Sequence, residues 1–459
     1  MKKSVYSSRY SKNKDSGSLF RGIWLRWEIL TQSEKVICLG ILLIPIWWVI
    51  GWSIVLLLWV VGIAIYEVFF YKRIRLKRPS ISVITLLFFS FYRVFIYAIN
   101  TPEIAPRALV DPFISWGSGG ILLWYIETHN IRVRLQVAAW VSSCIICVMM
   151  LWWLLFHFVL SEPYYTPPRT LYALILEKGA RYESNQFGSI GNFLVPYSLG
   201  EKGFGGFPRH TFFFPHPTIS SFAIGFVGLM ALDTKKRIWF LPILLACGWL
   251  ILICQARNSW ITLPIVIIIR LLITSNKKGG IAFLLALLAI TTFVTISVPL
   301  VTDYITETFT KTVEVTANFR KSSTDVRNTI YLRTWESVLE EPFLGHGVNG
   351  PPILPAYDFA RIGTESFILG TLLYKSGLLG TLIFMVFFLS FITQLYKTRE
   401  DRPLCCFLMI LYLSLCSSVT EFTSVEIMFL VFCTILNKPR VSKPQTFGNE
   451  RKNQSFQPS

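Results

Sequence analysis

The chain has 459 residues, of which 53% are hydrophobic and only 15% are charged, whereas a soluble protein carries roughly 25% charged residues. The apolar residues form long runs that a soluble core does not need, which excludes an ordinary soluble enzyme. The net charge of +18 does not indicate a nucleic-acid partner, because Lys and Arg form short clusters between the apolar runs, where they orient a membrane protein.

The N-terminal segment, residues 1–35, is polar and basic. It lacks the short apolar core and small-residue cleavage site of a signal peptide. We therefore predict a cytoplasmic N-terminal segment. Within it, residues 22–30 mix Trp and Leu with Arg26 and Glu28, a pattern that is typical of a stretch lying in the membrane interface.

Long apolar runs follow, and they predict a transmembrane bundle over residues 36–437. About 20 apolar residues are needed to cross a bilayer. The first two runs are continuous, and Pro45 with the pair Gly51–Trp52 predicts a tight external turn between them. The predicted fold class is an all-α polytopic membrane protein with about twelve transmembrane helices. These are residues 36–52, 53–71, 80–99, 113–127, 135–160, 214–232, 238–254, 257–272, 279–302, 366–395, 403–418 and 424–437.

Basic clusters orient these helices. Residues 72–78 and 235–237 are rich in Lys and Arg and should lie in the cytoplasm. This orientation places both termini in the cytoplasm. The polar tail, residues 438–459, is predicted to be disordered. All nine cysteines lie within apolar runs, so we expect no disulfide framework.

Two long external loops are predicted. The first, residues 161–213, is rich in Gly, Pro and aromatic residues. The second, residues 303–365, joins spans 9 and 10 and is the only long polar segment between predicted spans. Residues 331–341 within it have helical spacing, which Pro342 and the following glycines end. Loops of this length are usually functional.

Three arginines of the external face are candidates for binding an anion. Arg257 lies between two apolar runs on the external side, where the positive-inside bias does not explain it, although it could be a snorkelling residue. Arg327 and Arg333 flank Tyr331, and an ordinary solvated helix is the simpler interpretation for them. Arginine offers planar bidentate contacts to phosphate.

Other candidates lie at the starts of two predicted helices. Glu365 opens the tenth span, with Thr364 as its cap, and is either a structural first-turn acid or a general base. Arg209 and His216 precede a helix that starts after Pro217, whose N-terminus could hold an anion. The neighbouring aromatic residues could instead form an interfacial belt.

Several cations and one carboxylate thus converge on the external face of an apolar bundle, as a lipid-linked diphosphate would require. The sequence contains no P-loop, HExxH motif, GxSxG motif or metal-ligand spacing, so we expect neither a nucleotide nor a metal cofactor.

At these residues the chain resembles the O-antigen ligase/polymerase superfamily of bacterial membrane glycosyltransferases. Residues 256–260 (ARNSW) are similar to its Ser-Arg-x-x-Trp signature. Arg327 and Tyr331, followed by residues 341–347 (EPFLGHG), are similar to its Arg-x-x-x-Trp and Pro-x-x-Gly-x-Gly segments. Residues 363–380 are similar to its motif of a His at the head of a helix followed by Gly-Leu-x-Gly. The resemblance covers about residues 205–395.

One departure concerns the mechanism. The family usually has a His at the head of that helix, whereas this chain has Glu365 there, or Ser366 in an alternative register. Glutamate can also accept a proton, so the resemblance leaves it as the first candidate for the base. His346 and His216 are alternative substitutes.

The resemblance implies metal-independent, inverting glycosyl transfer on the periplasmic face of the bacterial inner membrane. The donor would be a glycan on a polyprenyl diphosphate, and the acceptor a sugar hydroxyl on a second glycan or a glycolipid. Arg257 and Arg327 would neutralise the leaving diphosphate and Glu365 would be the base. The residues assigned to substrate binding are Arg209, His216, Arg333 and His346.

Alternatives remain open at this point. The family motifs do not separate a polysaccharide polymerase from an O-antigen ligase, and the missing His favours the polymerase slightly. A flippase for lipid-linked oligosaccharides would place its substrate site near the midplane of paired repeats, which the sequence does not contain. A non-catalytic partner of other polysaccharide-assembly proteins would tolerate loss of the candidate charges.

Overall fold

A computed structural model describes residues 19–100, 110–159, 167–176, 190–202, 207–234, 237–275, 321–353 and 360–438. The chain is mostly helical, as the apolar runs predicted. The span predicted at 279–302, the first part of the second external loop, the start of the N-terminal segment and nearly all of the predicted tail lie outside these residues.

Helices follow the apolar runs through the described part of the chain. One π-helical segment, Phe113–Gly117, ends just before Ser118, and a second one, Phe367–Tyr374, ends just before Lys375. The helices are α1 (Gln32–Leu42), α2 (Ile44–Ile50), α3 (Trp52–Tyr71), α4 (Ile81–Asn100), α5 (Ser118–His129), α6 (Leu135–Phe158), α7 (Leu171–Ile175), α8 (Pro217–Asp233), α9 (Arg237–Cys254), α10 (Arg257–Ser275), α11 (Lys321–Glu340), α12 (Lys375–Lys397), α13 (Leu404–Cys416) and α14 (Ser424–Ile435).

In the part of the chain that the structure describes, short strands form three two-stranded ribbons. In the first, β1 (Phe20–Arg21) pairs with β2 (Trp24–Leu25); in the second, β4 (Tyr197–Lys202) pairs with β5 (Pro208–His210), and both pairs are antiparallel. The third joins distant parts of the chain, because β3 (Val133–Arg134) runs parallel to β6 (Leu436–Asn437). This ribbon ties the start of α6 to the end of α14.

Among the described residues, five helical segments are long and apolar enough to cross a membrane: α3, α4, α6, the first part of α10, and the π-helical segment continued by α12. A sixth results if α1 and α2, bent by 59° at their junction, count as one. Four shorter apolar helices lie at α8, α9, α13 and α14. The structure thus supports a polytopic membrane protein, while the number of twelve spans and the position of the termini stay predictions.

The interior and the outer surface of the bundle are both apolar. Phe89, Trp116, Phe367 and Phe384 form one buried aromatic cluster that joins α4, the π-helical segments and α12. On the outside, large apolar side chains remain exposed, such as Phe69 at 81%. Such a surface is stable in hydrocarbon rather than in water.

The predicted glycine motifs meet where the tenth predicted span is broken. Gly377 interrupts the helix with φ 62° and ψ −173°. There, Leu378 N donates to Pro342 O at 2.8 Å and Gly347 N to Lys375 O at 3.0 Å, so the loop after α11 pairs with the break. A Cβ on Gly377 would lie 2.3 Å from Phe343 O, which explains why this position needs glycine.

The head of this span differs from the prediction. The helical turns begin at Phe367, and the cap is Ser366, whose hydroxyl accepts from Leu369 N at 3.1 Å. Thr364 was expected to be the cap, which is wrong, because its hydroxyl donates to Arg361 O instead. Glu365 therefore precedes the cap and does not lie in the first turn.

Candidate functional site

A cavity of about 970 Å³ opens at one end of the bundle. The N-terminal ends of α3, α8, α10 and α14 and the segment before Phe367 all contribute to its wall, together with one face of α11. Helix N-termini carry unpaired N–H groups and partial positive charge. Their convergence makes this end of the cavity favourable for an anion.

Arg327 and Glu365, two of the predicted catalytic residues, form an ion pair in the cavity wall. Arg327 Nε lies 3.0 Å from Glu365 Oε2, with side-chain exposures of 37% and 28%. Helix α11 supplies the arginine, and the segment ahead of the π-helical turns supplies the glutamate. Both charged groups are thus accessible from the cavity while they neutralise each other.

Glu365 is held in an uncommon backbone conformation. Its φ is 69°, in the left-handed region that side-chain-bearing residues rarely adopt. Tyr331 of α11 donates its hydroxyl to Glu365 O at 3.4 Å, and Gly363 N donates to Thr334 Oγ1 at 2.9 Å. Burial raises the pKa of Tyr331, so its hydroxyl stays protonated as a donor. Helix α11 therefore fixes the segment that carries the carboxylate.

Arg257 and Arg209 also line the cavity, at the turn that leads into α10. Arg257 is the first residue of α10, and Gln255 makes the turn with φ 53°. The buried Arg209 donates from Nε to Cys254 O at 3.2 Å, and Gln255 Nε2 donates to Phe207 O at 3.0 Å. These bonds hold the strand β5 against the start of α10, so that both guanidinium groups belong to one site.

His216 lies at the start of α8, in the same cavity wall. It is the N-cap of α8, and its Nδ1 accepts from Thr218 N at 3.3 Å. The aromatic residues before it, Phe212, Phe213 and Phe214, are buried, and Trp52 stacks on Phe214 at 5.2 Å. They are therefore part of the protein interior and do not form the interfacial belt that was the alternative for this segment.

Arg333 and His346 lie outside the cavity wall. Arg333 is on another face of α11 from Arg327, with its side chain 64% exposed and paired with Glu336. His346 packs its ring on Tyr374 at 4.4 Å and its Nε2 lies 2.9 Å from Ser337 O. The cavity thus brings together Glu365, Arg257, Arg327, Arg209 and His216, and leaves these two apart.

The cavity also contains charged residues that the sequence analysis did not select. Arg361 and Glu421 line it, and Glu421 forms an ion pair with Lys375. The sequence did contain a signal for this pair. Lys375 is a charged residue inside a predicted span, and Glu421 is the one charged residue in the short segment between the last two predicted spans. Among the described residues, no group of three or more His, Cys, Asp or Glu is placed to hold a metal ion.

A separate apolar groove of about 380 Å³ lies between α8, α9 and α10. Ser259, Trp260 and Leu263 of α10 line it, whereas Arg257, Asn258 and Ile261 of the same helix line the cavity. Glycines 225, 228 and 248 leave the groove open, and a Cβ on Gly248 would meet nothing within 4 Å. Two faces of α10 thus border a polar cavity and an apolar groove.

Part of the chain is similar to a known protein family. Residues 241–385 match the family model described as O-antigen ligase. The match contains α10, α11, Glu365 and the glycine break, whereas Arg209, His216 and Glu421 lie outside it. No curated protein matches the chain.

Proposed function

We propose that the protein is a membrane glycosyltransferase of surface polysaccharide assembly. It transfers a glycan from a polyprenyl diphosphate to a sugar hydroxyl. The match over residues 241–385 supports the O-antigen ligase/polymerase superfamily. It confirms the family that the motifs predicted. The observation that carries this proposal is that Arg257, Arg327 and Glu365 line the same cavity at the end of an apolar bundle.

The cationic part of the cavity is suited to the diphosphate of the donor. Arg257 and Arg327 offer N–H forks to phosphate oxygens, and Arg209 and His216 lie on the same side with the N-termini of α8 and α10. Diphosphate is a weak base and a good leaving group. Charge grows on it as its bond to the anomeric carbon breaks, and fixed cations in a water-poor site stabilise that charge by several kcal/mol.

The apolar groove beside α10 is suited to the polyprenyl chain. Its wall consists almost entirely of apolar and glycine residues, and it starts within one turn of Arg257. A diphosphate held at the N-terminus of α10 would thus have hydrocarbon-compatible surface directly alongside. This arrangement supports a lipid-linked donor over a soluble sugar nucleotide.

Glu365 acts on the acceptor in this proposal. The acceptor oxygen forms a bond to the anomeric carbon, the bond from that carbon to the diphosphate oxygen breaks, and the hydroxyl proton passes to the Glu365 carboxylate. Attack opposite the leaving group inverts the anomeric centre. Before substrate binds, the Glu365 carboxylate is paired with the Arg327 guanidinium group.

The same ion pair implies an order of binding. A diphosphate that engages Arg327 competes with Glu365 for the guanidinium group. Donor binding then frees the carboxylate beside the acceptor, so that a base becomes available only when the leaving group is in place. The absence of the family's usual His at the head of this helix favours the polymerase type slightly, with the ligase type as the alternative.

Replacement of Arg257 by Ala in cells tests the proposal. We expect loss of long-chain surface polysaccharide and accumulation of lipid-linked single units outside the membrane, with the protein still present in it. Normal chain lengths would overturn the proposal. Accumulation of lipid-linked units inside would indicate a flippase instead. Arg333→Ala is the matched control, because Arg333 lies outside the cavity.

A further inference from the structure

A second carboxylate, Glu421, lies in the wall of the same cavity and has no part in the reaction described above. It belongs to the loop of residues 417–423 that joins α13 to α14. Four of these seven residues carry hydroxyl groups, and residues 418–421 and 423–425 line the cavity. One wall of the cavity thus carries a carboxylate and is rich in hydroxyl groups.

Glu421 is paired with a buried lysine. Lys375, at the start of α12, is only 7% exposed and forms an ion pair through Nζ with Glu421 Oε1. Thr371 Oγ1 donates to the same oxygen at 3.1 Å. A buried ammonium group is unfavourable without a counter-charge. Glu421 is therefore paired with a residue that does not line the cavity.

The second oxygen of Glu421 is available to a ligand. Both donors, Lys375 and Thr371, bind Oε1, and no donor among the described residues lies within hydrogen-bonding distance of Oε2. The side chain is 36% exposed, although its pair partner is buried. An ionised oxygen with free lone pairs thus faces the cavity.

The backbone around Glu421 is fixed against the proposed reaction site. Phe367 N donates to both Ser417 O and Thr420 O at 3.0 Å, and the ring of Phe422 stacks on Phe367 at 4.4 Å. Asn258 Nδ2 donates to Thr420 Oγ1 at 2.9 Å. The loop is therefore bound to the helix after Glu365 and to the residue after Arg257.

Charge indicates what this wall can bind. The Glu421 carboxylate, which is already paired with Lys375, offers no hydrogen-bond donor to a diphosphate, whereas the arginines of the cavity wall attract it. A neutral, hydroxyl-rich ligand suits the carboxylate and the Ser and Thr hydroxyls, because a carboxylate accepts strong hydrogen bonds from sugar hydroxyls. The cavity is thereby divided into a part for phosphate and a part for sugar.

We propose that residues 418–424 form the subsite for the acceptor sugar, in which Glu421 Oε2 accepts hydrogen bonds from hydroxyl groups next to the attacking one. Lys375 is the positioning residue that holds this carboxylate in place in the cavity wall. This inference rests on the proposed glycosyl transfer. It adds that the acceptor is recognised by a carboxylate other than the base.

Two binding probes separate the two parts of the cavity. One is geranylgeranyl diphosphate; the other is the free oligosaccharide released by mild acid from lipid-linked glycan of cells that lack the protein. Binding to the full chain in nanodiscs is followed by tryptophan fluorescence, since Trp52 lines the cavity. Glu421→Gln should weaken oligosaccharide binding about tenfold or more, the loss of one charge-assisted hydrogen bond, and leave diphosphate binding unchanged.

Two further variants serve as controls, one expected to affect only the diphosphate probe and one expected to affect neither probe. Arg257→Ala should weaken the diphosphate probe and spare the oligosaccharide, and Glu336→Gln, on the exposed face of α11, should change neither. In steady-state assays, Glu421→Gln should raise the KM for acceptor about tenfold with kcat changed only severalfold. Unchanged oligosaccharide binding in Glu421→Gln overturns the subsite, even if Arg257→Ala still abolishes polysaccharide and so supports the transfer reaction.

A double variant distinguishes a binding role of Glu421 from a purely structural role as the counter-ion of Lys375. Glu421→Gln leaves Lys375 buried without its counter-charge, which can unfold the protein. The double variant Lys375→Met with Glu421→Gln removes both charges at similar volume. We expect it to melt near the wild-type temperature and still to bind the oligosaccharide about tenfold more weakly. Recovery of binding would mean that Glu421 serves only as a counter-ion, and would overturn the proposal.

Discussion

Arg327 Nε and Glu365 Oε2 lie 3.0 Å apart across the wall of the cavity, although one belongs to helix α11 and the other to the segment ahead of the broken span. Both side chains remain about one third exposed. A pair of this exposure contributes about 0.2–1 kcal/mol. A diphosphate, with more than one negative charge, can therefore displace the carboxylate from the arginine.

Replacement of Glu365 by Gln should separate its role from that of Arg327. The variant keeps the side-chain shape but removes the base, and we expect kcat to fall by ~10²–10⁴. Since Arg327 then no longer has a competing carboxylate, donor affinity should rise by up to about fivefold. Steady-state assays in nanodiscs measure both, and weaker donor binding in Glu365→Gln would contradict the competition between donor and ion pair.

Removal of Arg327 should have a different kinetic signature. Arg327→Ala loses a cation that contacts the diphosphate, so we expect both weaker donor binding and a lower kcat, by roughly 10²-fold in kcat/KM. Arg333→Ala, on another face of the same helix, is the control and should behave as wild type, because its side chain pairs only with Glu336 at the surface. Equal losses in the two variants would argue for a general effect on α11.

Filling the apolar groove should affect long lipid donors selectively. In Gly248→Leu the new side chain occupies open groove space, so the KM for a long polyprenyl donor should rise about tenfold or more while that for a short prenyl donor changes little. Gly62→Leu is the control, since Gly62 is also open but lies on the exposed face of α3. A loss that is independent of lipid length would exclude the groove as the lipid site.

The apolar runs predicted where helices lie, because hydrocarbon-compatible segments must satisfy their backbone internally. Local pattern did not predict the left-handed Glu365 or its position before the Ser366 cap, since these depend on bonds from Tyr331 and Thr334 of α11. A helical projection of α11 would have separated the exposed Arg333 from the face that carries Arg327.

The pair of Glu421 and Lys375 illustrates what sequence alone could not give. Lys375 lies inside a predicted span, whereas Glu421 lies in the connection between two later spans. Only the fold brings the loop after α13 against the start of α12. The glycine motifs were predicted as family features, but their reason is spatial. Two backbone segments pair at the break of the helix, where a Cβ would overlap with a carbonyl oxygen.

Addition of a methyl group at the helix break should destabilise the protein strongly. In Gly377→Ala the Cβ would lie 2.3 Å from Phe343 O at a φ of 62°, so we expect a loss of about 3 kcal/mol or more from strain and overlap. Gly22→Ala has nearly the same φ, 61°, with no atom within 4 Å, and should lose only about 1 kcal/mol. The measurement is the melting temperature of each variant in detergent. Equal shifts for Gly377→Ala and Gly22→Ala would contradict this explanation.

The buried His210 predicts how stability depends on pH. Burial, assisted by the nearby His157, lowers the pKa of His210 from 6.5 to about 4. Above pH 6.5 the ring is neutral in both folded and unfolded states. As pH falls from 6.5 to 4, only the unfolded state takes up this proton, so the free energy of unfolding should decrease by up to about 1.4 kcal/mol per pH unit. His210→Gln removes this contribution, and its stability should fall less steeply over the same range than that of the wild type. Parallel pH profiles for the two proteins would show that His210 is as easily protonated in the folded state as in the unfolded one.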